Sequence, residues 1–308
     1  MTFDAKVLLQ AAQQVAGSQQ YPKPALYLVA TPIGNLADLS LRAVQTLALA
    51  DAVACEDTRV TGGLLRQIGL DKPLLALHQH NEASAAQQVL ARLAQGERVA
   101  YVSDAGTPAV SDPGALLVQA AQAAGHVLVP IPGPSSATTA LSVAGDAQAT
   151  GFRFVGFLPA KGAQRLQALR EVLGTAESIV LFEAPHRIET LAAELLTCLP
   201  QGRVTVCREL TKQFEEVATL PVSAWPAWLG ENAHRSRGEF VVIVHAVPPQ
   251  RDAEADALAP ELEKLLGELV RLLPVKQASA LVAEVAGLPR KALYDRALQL
   301  KQGFSDDA

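Results

Sequence analysis

Short apolar runs recur through this chain without polar alternation, and each is followed by a loop rich in Gly, Pro or charge and then by a helical pattern. Residues 26–30 (LYLVA), 52–55 (AVAC), 74–77 (LLAL), 98–102 (RVAYV) and 127–131 (VLVPI) are the first five. A strand apolar on both faces has to be covered on both, which is the situation of a parallel sheet between crossover helices. The runs end in polar clusters: 31–35 (TPIGN), 56–59 (EDTR), 78–82 (HQHNE), 104–114 (DAGTPAVSDPG) and 132–136 (PGPSS). Ligands of open α/β sheets bind outside the carboxyl ends of the strands. The five loops are therefore predicted to form one rim. Residues 104–114 stand out among them, because Gly and Pro alternate there as they do where backbone approaches a ligand.

A second series follows. Residues 152–157, 178–182, 203–207 and 240–245 read as strands, 215–219 as a short edge strand, and loops 158–162, 183–187 and 208–209 as their polar ends. The fold class predicted is α/β: two α/β domains with mainly parallel sheets and a cleft between them, plus a small C-terminal helical, helix-turn-helix-like appendage. The divisions are a flexible leader over 1–23, an N-terminal α/β domain over 24–134, a C-terminal α/β domain over 135–247, a Pro-rich linker over 248–258 and the appendage over 259–308. In the appendage, 274–287 reads as a helix ending at Gly, and a second helix starts at Pro289 with Arg290, Lys291 and Arg296 on its polar side. That pattern suits either a nucleic-acid-facing helix pair or a plain packing module.

Composition narrows the chemistry. The net charge is −5, with 8 Lys/Arg against 11 Asp/Glu in residues 1–150 and 10 against 10 in 151–245, so nucleic acid would have to be met by local patches. Three cysteines without a C-x-x-C pair argue against a disulfide framework and a structural zinc site and fit a reducing cytoplasm. No stretch reads as a signal peptide or a membrane span, so a cytoplasmic protein is expected. There is no G-x-G-x-x-G after a strand, no G-K-[ST] ending to TPIGN and no G-x-S-x-G elbow. His78 and His80 lack a third ligand at metal spacing, so no metal is expected. What remains is a rim of small residues and backbone amides, suited to a cofactor that brings its own reactivity.

TPIGNLADLSLRAV, CEDTRVTGGLL, LHQHNE, SDAGTPAVSDPG, PGPSSATTAL, FVGFLPAKG and FEAPHRI, in this order, resemble the tetrapyrrole-methylase superfamily of S-adenosylmethionine (SAM) methyltransferases. Superfamily members acting on corrinoids or diphthamide usually carry a GGDP-type turn where this chain has residues 105–108 (AGTP), which favours the branch acting on ribosomal RNA. The resemblance implies SAM as cofactor, folded in the cleft. Pro32 and Gly34 would shape the first turn, and Asp104, Gly106, Thr107 and Pro108 would face the methionine moiety. Pro134 and Ser135 would sit at the domain junction, and Leu158, Phe182 and Glu183 would line the adenosine side. It further implies 2′-O-methylation of a cytidine ribose in the decoding region of 16S rRNA, with the assembled 30S subunit as partner, and a homodimer.

A ribose 2′-hydroxyl is a poor nucleophile while neutral, so a general base helps. Rim position leaves Glu56, Asp57, Glu183 and His186 as candidates. Arg59, Lys161 and Arg187 would meet substrate phosphates or polarise the hydroxyl, with an internal ion pair the alternative for the two arginines. Arg290 and Lys291 would meet RNA from the appendage. Two other readings stay open: a sibling enzyme methylating a small molecule such as a tetrapyrrole, and a non-catalytic ribosome assembly factor.

Overall fold

The first five apolar runs lie side by side in one sheet. The structure, a computed structural model, describes residues 4–247, 258–288 and 290–305. These fall into two compact units divided between Val247 and Pro248. The predicted linker lies, over 248–257, outside the described residues, as does Pro289.

The first unit opens with helix α1 (Ala5–Ala16), followed by β1 (Ala25–Val29), α2 (Leu41–Leu49), β2 (Ala52–Cys55), α3 (Thr58–Gln67), β3 (Leu74–Ala76), α4 (Glu82–Ala94), β4 (Arg98–Val102), α5 (Ala115–Ala123) and β5 (Val127–Ile131). The strands pair in the order β3-β2-β4-β1-β5, all parallel. Tyr27, Val29, Val53, Ala100 and Val102 pack with α1, α2 and α3 on one face. Leu26, Ala54, Val99 and Tyr101 pack with α4 and α5 on the other. Burial on both faces is why these strands show no alternation.

The leader expectation needs correction. Asp4 caps α1 by accepting from the Lys6 amide at 3.0 Å. Ala12 and Ala16 are buried, Leu8 and Leu9 pack against the first core, and Gln45 of α2 donates to Gln13 at 2.8 Å. A stripe at 8, 9, 12 and 16 has helical spacing, and its small side chains let α1 lie close on α2.

Helix α6 (Ser136–Ala144) leads into the second sheet, built from β6 (Gly151–Phe157), α7 (Ala163–Val172), β7 (Glu177–Glu183), α8 (Ile188–Cys198), β8 (Arg203–Arg208), β9 (Glu216–Pro221), α9 (Trp225–Gly230) and β10 (Phe240–Val244). Its order is β6-β7-β10-β8-β9, and only β6 and β7 run parallel. The expectation of mainly parallel sheets thus holds for the first sheet, whereas the second is mixed. Strand β8 turns back into β9 without a crossover helix, and β10 inserts between β7 and β8 against both. Ile179, Leu181, Val206 and Val242 pack with α7, α8 and α9. Val180, Cys207, Val241 and Ile243 pack with α6.

The second unit holds α10 (Pro260–Leu272), α11 (Val275–Ala286) and α12 (Arg290–Ser305) around Leu266, Val270, Ala278, Val282, Leu293 and Ala297. Gly287, at φ +67°, closes α11 in the left-handed conformation that glycine tolerates. Arg296, expected on the polar side, instead donates to Glu263 and Gln299 within this unit. Among the described residues no helix is long and apolar enough to cross a membrane.

Candidate active site

The loop after β4 is tied down at both ends. Thr31 and Gly106 exchange backbone hydrogen bonds of 2.9 and 3.1 Å, joining the loops after β1 and β4. The Thr107 hydroxyl donates to the Pro134 carbonyl at 3.1 Å, which adds the loop after β5. The Asp57 amide donates to Asp104 at 3.0 Å, which adds the loop after β2. At the far end Tyr101 donates to the Pro113 carbonyl, and Glu82 of α4 accepts from the amides of Gly114 and Leu116 at 2.8 and 2.9 Å. Gly106 sits at φ +84°, and two non-glycine residues, Ala109 and Ser111, also have positive φ, at 62° and 69°. Such residues cost about 1–3 kcal/mol each and persist only where surroundings impose them, which the tethers do here.

Facing this loop is the rim of the second sheet, and between them lies a cavity of about 390 Å³. Ile33, Ala105 and Asp112 line it from the first sheet, Phe157, Phe182 and Leu210 from the second. Phe182 meets Phe154 and Phe157 edge-on at 5.1 and 5.6 Å, an apolar wall with fixed ring orientations. Strand β6 bulges at Gly156, φ +70°, where an added Cβ would lie 3.2 Å from the Ser111 hydroxyl. Gly34 is needed for a different reason: its Cβ would fall 2.4 Å from the Lys212 side chain on the β8–β9 loop.

Four carboxylates gather where β2 and β4 end. Burial, and then the charges of Asp104, Asp112 and Asp57, hold the Glu56 carboxyl above the usual carboxylate range. Burial likewise raises Asp112, opposed by a hydrogen bond from Ser103 and assisted by Asp104. Asp57 behaves oppositely. It caps α3 through the Arg59 amide at 2.8 Å and grips the Arg59 side chain at 2.6 Å, and these bonds bring its pKa down to about 2. It is a helix cap, not the base expected at this position. Burial pushes the Cys207 thiol, on the cavity wall, up to about 12, so it is an unreactive lining group.

Glu183 needs a similar correction. Its side chain is fully buried, 2.6 Å from Arg165 and 3.0 Å from Arg187, and it accepts from the Ala184 amide at 2.9 Å. Both carboxylate oxygens are thus engaged inside the fold, which makes Glu183 an internal brace. Arg187 also donates to the Leu158 and Pro159 carbonyls at 2.9 and 3.2 Å, so it clamps the loop after β6. Leu158 itself packs in the second-sheet core. His186 and Lys161 are exposed on their loops and do not line the cavity, and Arg59 is exposed but paired with Asp57. Pro32 and Ser135 are half-buried beside the tethered loops, and Pro108 is buried within one. Arg290 and Lys291 are exposed at the start of α12 in the second unit. Asp112, Phe157 and Leu210 were not anticipated. The first lay in the stretch already singled out, as a carboxylate between Ser and Pro. Among the described residues no group of three or more His, Cys, Asp and Glu is arranged for a metal.

The family model "Tetrapyrrole (Corrin/Porphyrin) Methylases" matches residues 25–225, and the model "RsmI C-terminal HTH domain" matches residues 256–301. The chain is 43% identical over 276 residues to a ribosomal RNA small subunit methyltransferase I from Escherichia coli O157:H7, covering 89% of this chain and 94% of that one. It is 40% identical over 296 residues to the protein of the same name from Neisseria meningitidis serogroup B, covering 96% and 98%. In fold it is similar to a uroporphyrin-III C-methyltransferase from Thermus thermophilus complexed with S-adenyl homocysteine, at 19% identity and a TM-score of 0.51 over 72% of this chain and 97% of that one.

Proposed function

The chain belongs to the tetrapyrrole methylase family, and we propose that it transfers the methyl group of SAM to a cytidine ribose 2′-hydroxyl of 16S rRNA. The assembled small ribosomal subunit in the cytoplasm is the proposed substrate, and the working form a homodimer. The observation that carries the reading is the cavity between the two rims, with a tethered loop on one side and an aromatic wall on the other.

The residues present fit SAM. A volume of about 390 Å³ falls in the range of small-molecule sites. Phe157 and Phe182 offer apolar surface for an adenine. Among Asp104, Gly106, Thr107 and Pro108, the backbone of Asp104 and Thr107 offers amides and that of Pro108 a carbonyl for the methionine end, while Gly106, bonded to Thr31, would let that backbone approach it. Glu56, Asp104 and Asp112 cluster where β2 and β4 end, and their negative charge would suit the positive charges of a sulfonium and an ammonium. When bound, SAM supplies a methyl group already activated on sulfur. The chain's task is then to aim the hydroxyl at it, and orientation of this kind is worth roughly 7–11 kcal/mol. Asp112, partly buried on the cavity wall with a raised proton affinity, is the carboxylate we assign to accept the hydroxyl proton. The similarity of the named relatives supports rRNA as the substrate class.

The test is transfer of labelled methyl from SAM to small subunits lacking the modification, to naked 16S rRNA and to a uroporphyrinoid. The expected result is label in an alkali-resistant 2′-O-methylcytidine, formed faster on the particle than on naked RNA. Equal rates would remove the particle preference. Transfer to the macrocycle alone would give the function to the small-molecule reading, and absent SAM binding in calorimetry would give it to the assembly-factor reading.

A further inference from the structure

A separate cavity of about 440 Å³ opens on the rim of the second sheet, lined by Arg208, Phe214, Asn232, His234 and Arg237. It shares one loop with the active site: Leu210 lines the catalytic cavity, while Glu209 and Phe214 line this one. The loop is held in an uncommon backbone conformation, with Glu209 at φ 52° and Thr211 at φ 67°. Lys212 pins it to Glu209 at 2.8 Å and to Glu239 at 2.6 Å. A loop so constrained nevertheless presents Phe214 with 65% of its surface exposed. A rigidly carried, uncovered aromatic ring suits a planar ligand.

The cations around the cavity divide into used and unused. Arg235 pairs with Glu216 at 2.9 Å and Glu231 at 2.7 Å, and it lies over Trp228 at 4.3 Å. Arg208 lies 3.4 Å from Glu216 and donates to the Phe214 and Arg237 carbonyls at 3.1 and 3.3 Å, so it braces the cavity wall. Arg237 and His234 are exposed, and among the described residues neither enters an ion pair. One unspent guanidinium, one imidazole and one uncovered phenyl ring thus line a single hollow beside the methyl-transfer cavity.

We propose that this hollow binds a nucleotide of the RNA strand flanking the one to be methylated, its base stacked on Phe214 and its phosphate on Arg237, with His234 as an additional hydrogen-bonding group. The inference rests on the RNA-methyltransferase reading given above and adds the place where the strand is gripped. Stacking on one aromatic ring tolerates any base, so the hollow holds the strand in place and leaves base choice to other contacts.

The test uses full-length protein, unmodified small subunits, a 16S-derived oligoribonucleotide, and the variants Phe214→Ala, Phe214→Tyr and Arg237→Ala. Phe214→Ala should raise KM for the subunit roughly tenfold and Phe214→Tyr should restore it. Arg237→Ala should weaken oligoribonucleotide binding and lessen its salt slope by about one. SAM affinity, measured by calorimetry on the same preparations, should stay that of the parent, which also shows each variant folded. A Phe214→Ala, Arg237→Ala double variant with the parent's KM would overturn the proposal. So would loss on the particle with unchanged oligoribonucleotide binding, since the hollow would then be docking a ribosomal protein. If the parent itself methylates no rRNA, the reading beneath fails, an outcome distinct from a silent double variant.

Discussion

Asp112 and Asp57 stand within one carboxylate cluster and respond to it in opposite directions. Burial raises Asp112, so the folded chain holds that proton more tightly than the unfolded chain does. The resulting stability is present below the ordinary carboxylate value of about 3.9 and is lost as pH rises through the folded pKa. Asp112→Asn should therefore raise the melting temperature at pH 7 while lowering kcat about 100-fold, the usual scale for a lost general base. Asp57, brought down to about 2 by Arg59 and its capping bonds, contributes stability above the unfolded value that is lost as pH falls toward 2. Asp57→Asn should lower the melting temperature at pH 7, and thermal melts of both variants across pH 2–8 check the signs together. Sequence position placed both on the rim but could not separate their roles. The Asp-Thr-Arg order did contain a cap signal. Glu183 was harder to read, because Arg165 lies 18 positions away on a helix whose charges look like an ordinary solvated face.

At the scale of elements, the β4–α5 loop depends on a carboxylate from another helix. Glu82 gives α5 the N-terminal acceptor that its own Gly114 cannot supply. Glu82→Ala should cost about 1 kcal/mol, the scale of a lost cap, and weaken SAM binding more than Glu82→Gln does. Denaturant titration and calorimetry on the two variants read the two effects separately. The first sheet was legible because its apolar runs and helices alternate strictly. Topology in the second was not, since strands covered on both faces look alike whether parallel or antiparallel. Arg203–Arg208 is buried over residues 204–208 much as Arg98–Val102 is over 99–102, yet it pairs antiparallel with β10 and β9 on either side. Only the short 209–215 connection to β9 betrayed a direct reversal. The α1 stripe was visible in spacing, but the polar glutamines around it masked the face that packs.

At the scale of the whole chain, the proposed substrate is acidic and so is the protein. The net charge is −5, and no third of the sequence is basic. Local cations must then carry the contact, and Arg290 and Lys291 occupy an instructive place. They are exposed in the first turn of α12, where the helix dipole is positive and cations are destabilising by about 0.3–1 kcal/mol each. Their placement opposes the stability of the helix that carries them, which points to a role outside the fold. Reversing both charges should separate the two effects. Arg290→Glu with Lys291→Glu should leave the melting temperature unchanged or higher, because acidic residues suit that turn. SAM affinity should not change, since the cavity proposed for SAM is lined entirely by the first unit. Methyl transfer to small subunits should fall roughly tenfold at physiological salt, with the salt slope shallower by about two. A double variant that methylates as well as the parent at every salt concentration would make the second unit a packing module, and the RNA contact would then rest on the first unit alone.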